Sequence, residues 1–330
     1  MKKSSWGLLD NHDHNVYDLV DRYSCIHDIT KKTPGIAYGN GRSYGDICLN
    51  PDGFLWDTKG LDKYISFDKD LGILVCEAGL LLKDVNSLSI PNGWMLPVTP
   101  GTQLGTIGGA IANDIHGKNH HRFGSFGNHI INLTILKTNG ELIECSPNNN
   151  SNLFYATIGG IGLTGIILSV SIKLRKIKSS SIESENITYS NLNEFFAISK
   201  ESEEDWEHTV SWLDCTAGGI GKGIFTRSNF LDDNNYDLSN GIEVKFPFKP
   251  PFSLINKPTL KIFNEIYYQL GKNKRKRFSS NYAQCLYPLD RILNWNRMYG
   301  KKGFYQYQSV IPKKNSYDAT KEMLNIIKKF

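Results

Sequence analysis

The sequence predicts an α+β fold in two units, on three observations. Short β-rich runs alternate with glycine-rich turns from residue 35 to about residue 178, short helical patterns sit between them, and the composition changes around residues 177–190. With 330 residues the chain is too long for one small core. We therefore expect one unit over residues 1–178 and a second over residues 179–330.

Taken in order, residues 73–76, 130–137, 142–145 and 166–174 read as strands, because β-branched and apolar residues fill them while Gly, Asn or Ser bounds them. Residues 80–88 and 152–155 have the spacing of short helices. Residues 177–190, rich in Lys, Ser and Glu, read as a linker or the entry to the second unit. Beyond them, residues 209–213 and 223–226 read as strands, followed by a Pro-, Lys- and Phe-rich stretch over 245–278. That stretch contains Lys272-Asn273-Lys274-Arg275-Lys276-Arg277, five positive charges in six residues, a pattern that is usually solvated. Residues 319–330 carry an amphipathic helical pattern with Met323, Ile326, Ile327 and Phe330 on one side.

Composition excludes several classes. Apolar residues at 40% and charged residues at 22% are ordinary for a folded chain and argue against wholesale disorder. A net charge of +5 gives no reason to invoke nucleic acid, yet it permits an anionic surface or a phosphorylated substrate. Cys25, Cys48, Cys76, Cys145, Cys215 and Cys285 are scattered without a CxxC pair, so neither a zinc site nor a disulfide framework is signalled. Polar sequence after Met1 leaves no signal-peptide core, and no apolar run reaches the roughly 20 residues of a spanning helix. The expected location is cytoplasmic, with any membrane contact peripheral at the inner face.

Three glycine-rich stretches carry the chemistry. The first, Gly39-Asn40-Gly41-Arg42-Ser43-Tyr44-Gly45-Asp46, lets the backbone turn tightly and aim N–H groups at one anion. Its spacing is GxGxxxG and no helical pattern follows, which disfavours a Rossmann fingerprint. By itself, a plain structural turn explains it equally well. The second runs from Pro100 to His121 and on through Gly124-Ser125-Phe126-Gly127-Asn128. Small residues at Gly105, Gly108, Gly109, Ala110 and Ala112 would let a flat aromatic group approach the backbone, and Thr106 suits the cap of a short helix. The third, Ile158-Gly159-Gly160-Ile161-Gly162-Leu163-Thr164-Gly165-Ile166-Ile167, runs into a strand. His116 and His120 are four apart, but no glutamate adjoins His116 as in HExxH and Gly117 weakens the helix between them, so no metal is expected. Gly218-Gly219-Ile220-Gly221-Lys222-Gly223 lacks the Ser or Thr of a phosphate-binding P-loop.

The stretches GNGRSYGD at 39–46, PGT at 100–102, IGGAIANDIHGKNHH at 107–121, GSFGN at 124–128 and GLTGII at 162–167, in this order, resemble the vanillyl-alcohol-oxidase superfamily with its PCMH-type FAD-binding domain. Within it they resemble the branch that oxidises polyprenylphosphoryl ribose. Residues 210–214, 221–227 and 305–308 extend the resemblance over nearly the whole chain.

The resemblance implies a two-subdomain FAD-binding domain followed by a substrate or cap domain with an antiparallel sheet. It implies that Gly39, Asn40, Gly41, Arg42, Ser43, Tyr44, Gly45 and Asp46 hold the FAD pyrophosphate. Gly101, Thr106, Ile107, Gly108, Gly109, Asn113, Asp114, Ile115, His116, Gly117 and Ile166 would line the rest of the cofactor. Tyr44, His116 and Lys118 would face the substrate side of the flavin, joined by Trp212, Gln306 and Gln308. His116 and Lys118 are the nearest to catalytic groups, with His116 assisting and not acting as the base.

The implied reaction oxidises a sugar secondary hydroxyl to a ketone by hydride transfer to flavin, in cell-envelope biosynthesis, with quinone as acceptor and a short-chain reductase as partner. Many relatives attach the flavin covalently through a histidine in the first glycine loop, where this chain has Arg42-Ser43, so a non-covalent FAD is expected. The family's lysine on the sugar hydroxyl, its tyrosine on the flavin and its pocket cysteine have no counterpart before Phe330, so an incomplete substrate domain is expected. Two alternatives stay open: a sugar-1,4-lactone oxidase of the same superfamily, and a non-catalytic FAD-binding remnant. The basic, phenylalanine-flanked stretch at 245–278 is then read as a mobile lid over the substrate entrance that also touches anionic lipid.

Overall fold

The computed structural model describes residues 3–9, 13–24, 29, 35–216, 221–238, 243–272 and 277–329. Three short strands, β1 (Asn15–Asp18), β2 (Gly35–Tyr38) and β3 (Phe54–Asp57), form a parallel sheet in the order β1-β3-β2. A five-stranded sheet follows from β4 (Tyr64–Asp68) and β5 (Ile73–Glu77), with the two-residue β6 (Trp94–Met95) branching off. β7 (Ile130–Leu136), β8 (Leu142–Cys145) and β9 (Ile166–Lys173) complete it in the antiparallel order β4-β5-β9-β7-β8, and β10 (Arg175–Lys176) pairs with β6.

That sheet is covered on both faces. One face packs α1 (Leu82–Ser89), α2 (Ile107–Ala112) and α4 (Ser151–Thr157) over a core of Leu74, Val85, Ile107, Leu133, Phe154, Val170 and Ile172. The short α3 (His120–Phe123) lies between α2 and β7 in the chain. The other face sets Leu136, Ile166 and Leu168 against Leu19, Trp56 and Leu61 below the parallel sheet. Burial on both faces explains why successive residues Ile166, Ile167 and Leu168 of β9 are all apolar and buried. A register shift between Thr134 and Ile135 leaves Leu168 as an extra residue on β9, so that Ile167 and Val170 share the helix-side core while Ile166 and Leu168 stay with the other.

The second half is built on an antiparallel sheet in the order β12-β13-β11-β15, from β11 (Ser181–Tyr189), β12 (His208–Leu213), β13 (Gly223–Phe230) and β15 (Arg277–Asn281). The two-residue strands β14 (Val244–Lys245) and β16 (Ile292–Leu293) pair in parallel. The helices are α5 (Leu192–Ser202), α6 (Lys257–Lys272), α7 (Tyr282–Leu286) and α8 (Ser316–Ile327). A joint core of Ile90, Met95, Ile177, Ile182, Tyr282, Leu286 and Tyr287 welds this half to the first. Asn86 Nδ2 donates to the buried Tyr287 hydroxyl across it at 3.0 Å. Helices and antiparallel sheets together make the molecule mixed α+β, as expected.

Several local expectations are corrected. Of the two expectations for 177–190, a linker or the entry to the second unit, the linker is corrected: β11 occupies Ser181–Tyr189 at the interior of its sheet, where Ser184 is buried and shares a hydrogen bond with Ser228 at 2.9 Å. Its polar composition therefore concealed a strand. The stretch 245–278 contains α6, while residues 273–276 of the basic block lie outside the described residues. The last helix begins at Ser316 and buries Leu324 against Leu192 and Gly221, leaving Ile326 and Ile327 exposed; Phe330 lies outside the described residues. Residues 218–220 of the P-loop-like run lie outside them too. Among the described residues no helix is long and apolar enough to cross a membrane, and Cys48, Cys76, Cys145, Cys215 and Cys285 are free thiols.

Candidate functional site

One cavity of about 1060 Å³ gathers all three glycine-rich stretches. A pocket for a single small ligand spans roughly 300–1,000 Å³, so this one has room for a large cofactor with part of a substrate. Its floor comes from the loop after β2, from α2 and from Gly165 and Ile167 at the start of β9; its far wall comes from β12, β14, β16 and the residues around Trp295 and Gln308.

Local sequence explains the floor. Thr106, in extended conformation, caps α2 by accepting from Gly109 N at 3.1 Å. Gly39 packs directly on that cap: a Cβ there would stand 2.5 Å from Thr106 Oγ1. Asn40 Nδ2 fastens the first glycine loop to Leu104 O at 2.8 Å, and Gly41 turns it with φ +59°. Arg42 lies over the Trp6 ring at 4.2 Å. Burial pulls its guanidinium below the ordinary arginine range, against the pull of Asp290, and its buried Nε has no hydrogen-bond partner among the described residues. Tyr44 joins an aromatic cluster with Trp295 at 5.8 Å and Phe304 at 5.2 Å.

At the other end, His116 Nε2 lies 2.7 Å from Gln308 Nε2. The contact ties the His116 ring to the Gln308 side-chain amide of the second half. Lys118 Nζ donates to Cys285 O, and its own carbonyl accepts from Thr209 N at 2.8 Å, so main chain and side chain alike are tied to the second half. Burial pulls its ammonium below the usual lysine range. Beside it, the buried His208 is pushed down to about 3, first by burial and then by the Arg175 and Lys118 cations. Arg175 meanwhile forms a bidentate pair with Glu207.

Most residues expected from sequence line this cavity: Gly39, Asn40, Gly41, Arg42, Ser43, Tyr44, Gly45, Gly101, Thr106, Gly108, Gly109, Asn113, Ile115, His116, Gly117, Lys118, Gln306 and Gln308. Five do not. Ile107 and Ile166 are buried in the two cores flanking the sheet. Asp114, at φ +38°, turns its carboxylate to accept from Gly127 N at 2.9 Å. Asp46 stands beyond the lining, its carbonyl taking Leu49 N at 2.8 Å. Trp212 packs edge-on against Tyr267 at 5.0 Å. The ring centroids of His116 and His120 are 6.2 Å apart, and among the described residues no group of His, Cys, Asp or Glu is placed to hold a metal.

Sequence reasoning missed Asp290, Trp295, Val210 and Trp6. Asp290 accepts from Thr102 Oγ1 at 2.6 Å and from Gln103 N at 2.8 Å, so a residue of the second half clamps the second glycine-rich stretch. Its signal is a lone aspartate in a loop, which no periodicity marks.

Residues 22–146 match the family described as FAD binding domain. Decaprenylphosphoryl-beta-D-ribose oxidase of Mycolicibacterium smegmatis is 34% identical over 307 residues, 88% of this chain and 65% of that protein. L-gulonolactone oxidase of Mus musculus is 29% identical over 41% of this chain and 30% of its own length. Putative D-arabinono-1,4-lactone oxidase of Neurospora crassa is 33% identical over 41% of this chain and 24% of its own. The chain thus spans just under two thirds, 65%, of the length of the first of these relatives.

The cavity fits FAD on independent grounds. A Cβ at Gly45 or Gly101 would meet nothing within 4 Å, and at Gly105 it would meet only Leu82 Cδ1 at 3.9 Å. Small residues therefore leave open the space a flat ring system and its diphosphate need, and Arg42 lines the same cavity.

Proposed function

We propose that this chain, whose residues 22–146 match an FAD-binding domain family and whose cofactor is FAD, is an oxidoreductase that oxidises a secondary hydroxyl of a phosphate-linked sugar to a ketone. In this reading residues 1–178 bind the cofactor and residues 179–330 form the substrate side. The observation that carries the proposal is the cavity itself, where a glycine floor suited to FAD meets Lys118, Lys245, His116 and Gln308 from both halves.

FAD, when bound, accepts the hydride from the sugar carbon. The chain's residues bind and orient. N–H groups of the first glycine loop and Arg42 hold the cofactor's diphosphate without a covalent bond, since that loop contains no histidine. Lys118 and Lys245 attract an anionic substrate. Gln308 holds the His116 ring from the second half, and His116 acts as a positioning group and not as the group that takes the hydroxyl proton.

The resemblance to a decaprenylphosphoryl-ribose oxidase extends over 88% of the chain and includes the substrate half. The likeness to lactone oxidases covers 41%, which favours the phosphate-linked sugar over a free lactone. A quinone acceptor, a short-chain reductase partner and contact with the inner membrane face belong to the same proposal.

The test is to purify the chain with its flavin, precipitate it with acid, and titrate the native sample anaerobically with farnesylphosphoryl ribose and with a gulonolactone. We expect FAD in the acid supernatant and bleaching of flavin absorbance by the ribose compound alone. Colour held in the pellet overturns the non-covalent assignment, bleaching by the lactone alone overturns the substrate, and FAD bound with no bleaching by either marks a non-catalytic flavin carrier.

A further inference from the structure

Helix α6 shows water its apolar side. Its packed positions are Asn264 and Tyr268, both buried, and Gly271, where a Cβ would stand 2.3 Å from Ile224 Cδ1. Facing outward are Ile262, Phe263, Ile266, Tyr267 and Leu270, which are 63%, 57%, 56%, 42% and 59% exposed. At about 100° per residue these five form one stripe opposite the packed face. Packing does not account for such an arrangement, because a helix fixed by its polar side leaves its apolar side without a partner.

The stripe leads back to the cavity. Tyr267 stacks on Phe263 at 5.7 Å with 13° between the rings, and meets Trp212 edge-on at 5.0 Å. Trp212 lies two residues along β12 from Val210, and so on the same face of the sheet. Val210 is 40% exposed and lines the cavity. Apolar surface therefore runs from the cavity wall through Val210 and Trp212 to Tyr267 and Phe263, then along α6.

We propose that this track is a second binding subsite, which holds the long apolar chain of a substrate whose phosphate-linked polar head lies in the cavity. The inference rests on the reading of the cavity given above and adds where the rest of the substrate goes. Its occupant is an isoprenoid-like chain. Continuity with the cavity is what such a chain requires, whereas docking onto a bilayer does not need it. Charge points the same way: Lys257, Lys261 and Lys272 fall on the packed side of the helix, not beside the stripe where they would meet anionic headgroups.

The flavin-loaded chain is titrated by calorimetry with inorganic phosphate, farnesyl phosphate and geranylgeranyl phosphate, each below its micellar concentration. The Phe263→Ser/Ile266→Ser variant is compared with the parent, and Leu142→Ser, an exposed apolar site on β8, serves as control. We expect affinity to rise at least tenfold from phosphate to farnesyl phosphate and further with the longer chain. The double variant should lose about tenfold for geranylgeranyl phosphate, with phosphate binding and flavin content unchanged. Affinity independent of chain length, or a double variant that binds the longer chain as the parent does, overturns the proposal. So does a double variant that loses only vesicle binding, which would mark a bilayer contact, or only self-association, which would mark an interface between copies. If chain length has no effect while farnesylphosphoryl ribose still bleaches the flavin, the track fails and the proposed function stands. Chain-dependent binding without bleaching leaves the track and removes the function.

Discussion

Gly109 sits in the first turn of α2 with its Cα toward the cavity, and the nearest atom to an added Cβ is Thr106 Oγ1 at 3.0 Å. Its backbone is helical, so the glycine serves space and not an unusual φ. Gly109→Val should therefore fold, with a melting temperature near that of the flavin-free parent, yet bind FAD about tenfold to a hundredfold more weakly, since overpacking costs about 1–3 kcal/mol. Flavin retained through gel filtration at the parental ratio would contradict this. His208 makes the opposite demand, being buried where a charge is costly. Its folded-state value near 3 lies below the ordinary 6.5, so between those values the unfolded chain binds a proton that the folded chain does not. Stability is then greatest above pH 6.5 and falls as pH drops toward 3. Melting curves should show that loss, and His208→Gln should flatten it. At this scale the glycine motifs reveal where backbone comes close to a ligand but not which way the intervening side chains point, so Ile107, Asp114 and Ile166, which the resemblance sets beside the cofactor, turn their side chains into cores and a turn.

Elements were legible where local rules act alone. Strands β5, β7, β8 and β9 stand within a residue of their expected bounds, and the Thr106 cap on α2 is made as its sequence implies. α1 starts at Leu82 because Leu80 and Leu81 remain extended or turned before the helix, with Asp84 Oδ2 accepting from Leu81 N at 3.3 Å. What short-range pattern could not reveal is the use of one element by another. Asp290, in the turn Pro288–Arg291, holds Thr102 and Gln103 of the opposite half and stands near Arg42. Burial pushes its carboxyl above the usual aspartate range despite those two bonds, so part of their gain is offset. Asp290→Ala should cost about 2 kcal/mol of stability by urea denaturation, because hydrogen bonds to a charged group contribute roughly 1.5–3 kcal/mol each and the clamp loses two. FAD affinity should fall with it, and Asp290→Asn should restore part of both. Unchanged flavin binding in the alanine variant would show that the second glycine-rich stretch keeps its shape unaided.

Across the whole molecule, the first half follows from its pattern more readily than the second. Its sheet has apolar strands bounded by glycine turns, whereas β11 carries serines and glutamates whose partners, Ser228 and Arg227, lie about 40 residues away in the chain. The same distance effect hid Trp6, which meets Trp295 at 5.6 Å, while Gly7 O takes Phe304 N at 3.0 Å and Trp6 O takes Asn296 Nδ2 at 2.9 Å across 290 residues. That last contact sets an order in time. A ribosome adding roughly 5–20 residues per second leaves Trp6 waiting about 15–60 s for its partner. Until Trp295 arrives, the side of the cavity nearest Arg42 stands open. The wall that Trp6 and Trp295 share is thus among the last parts of the cavity to be made, and the first glycine loop is synthesised long before the residues that pack beside it.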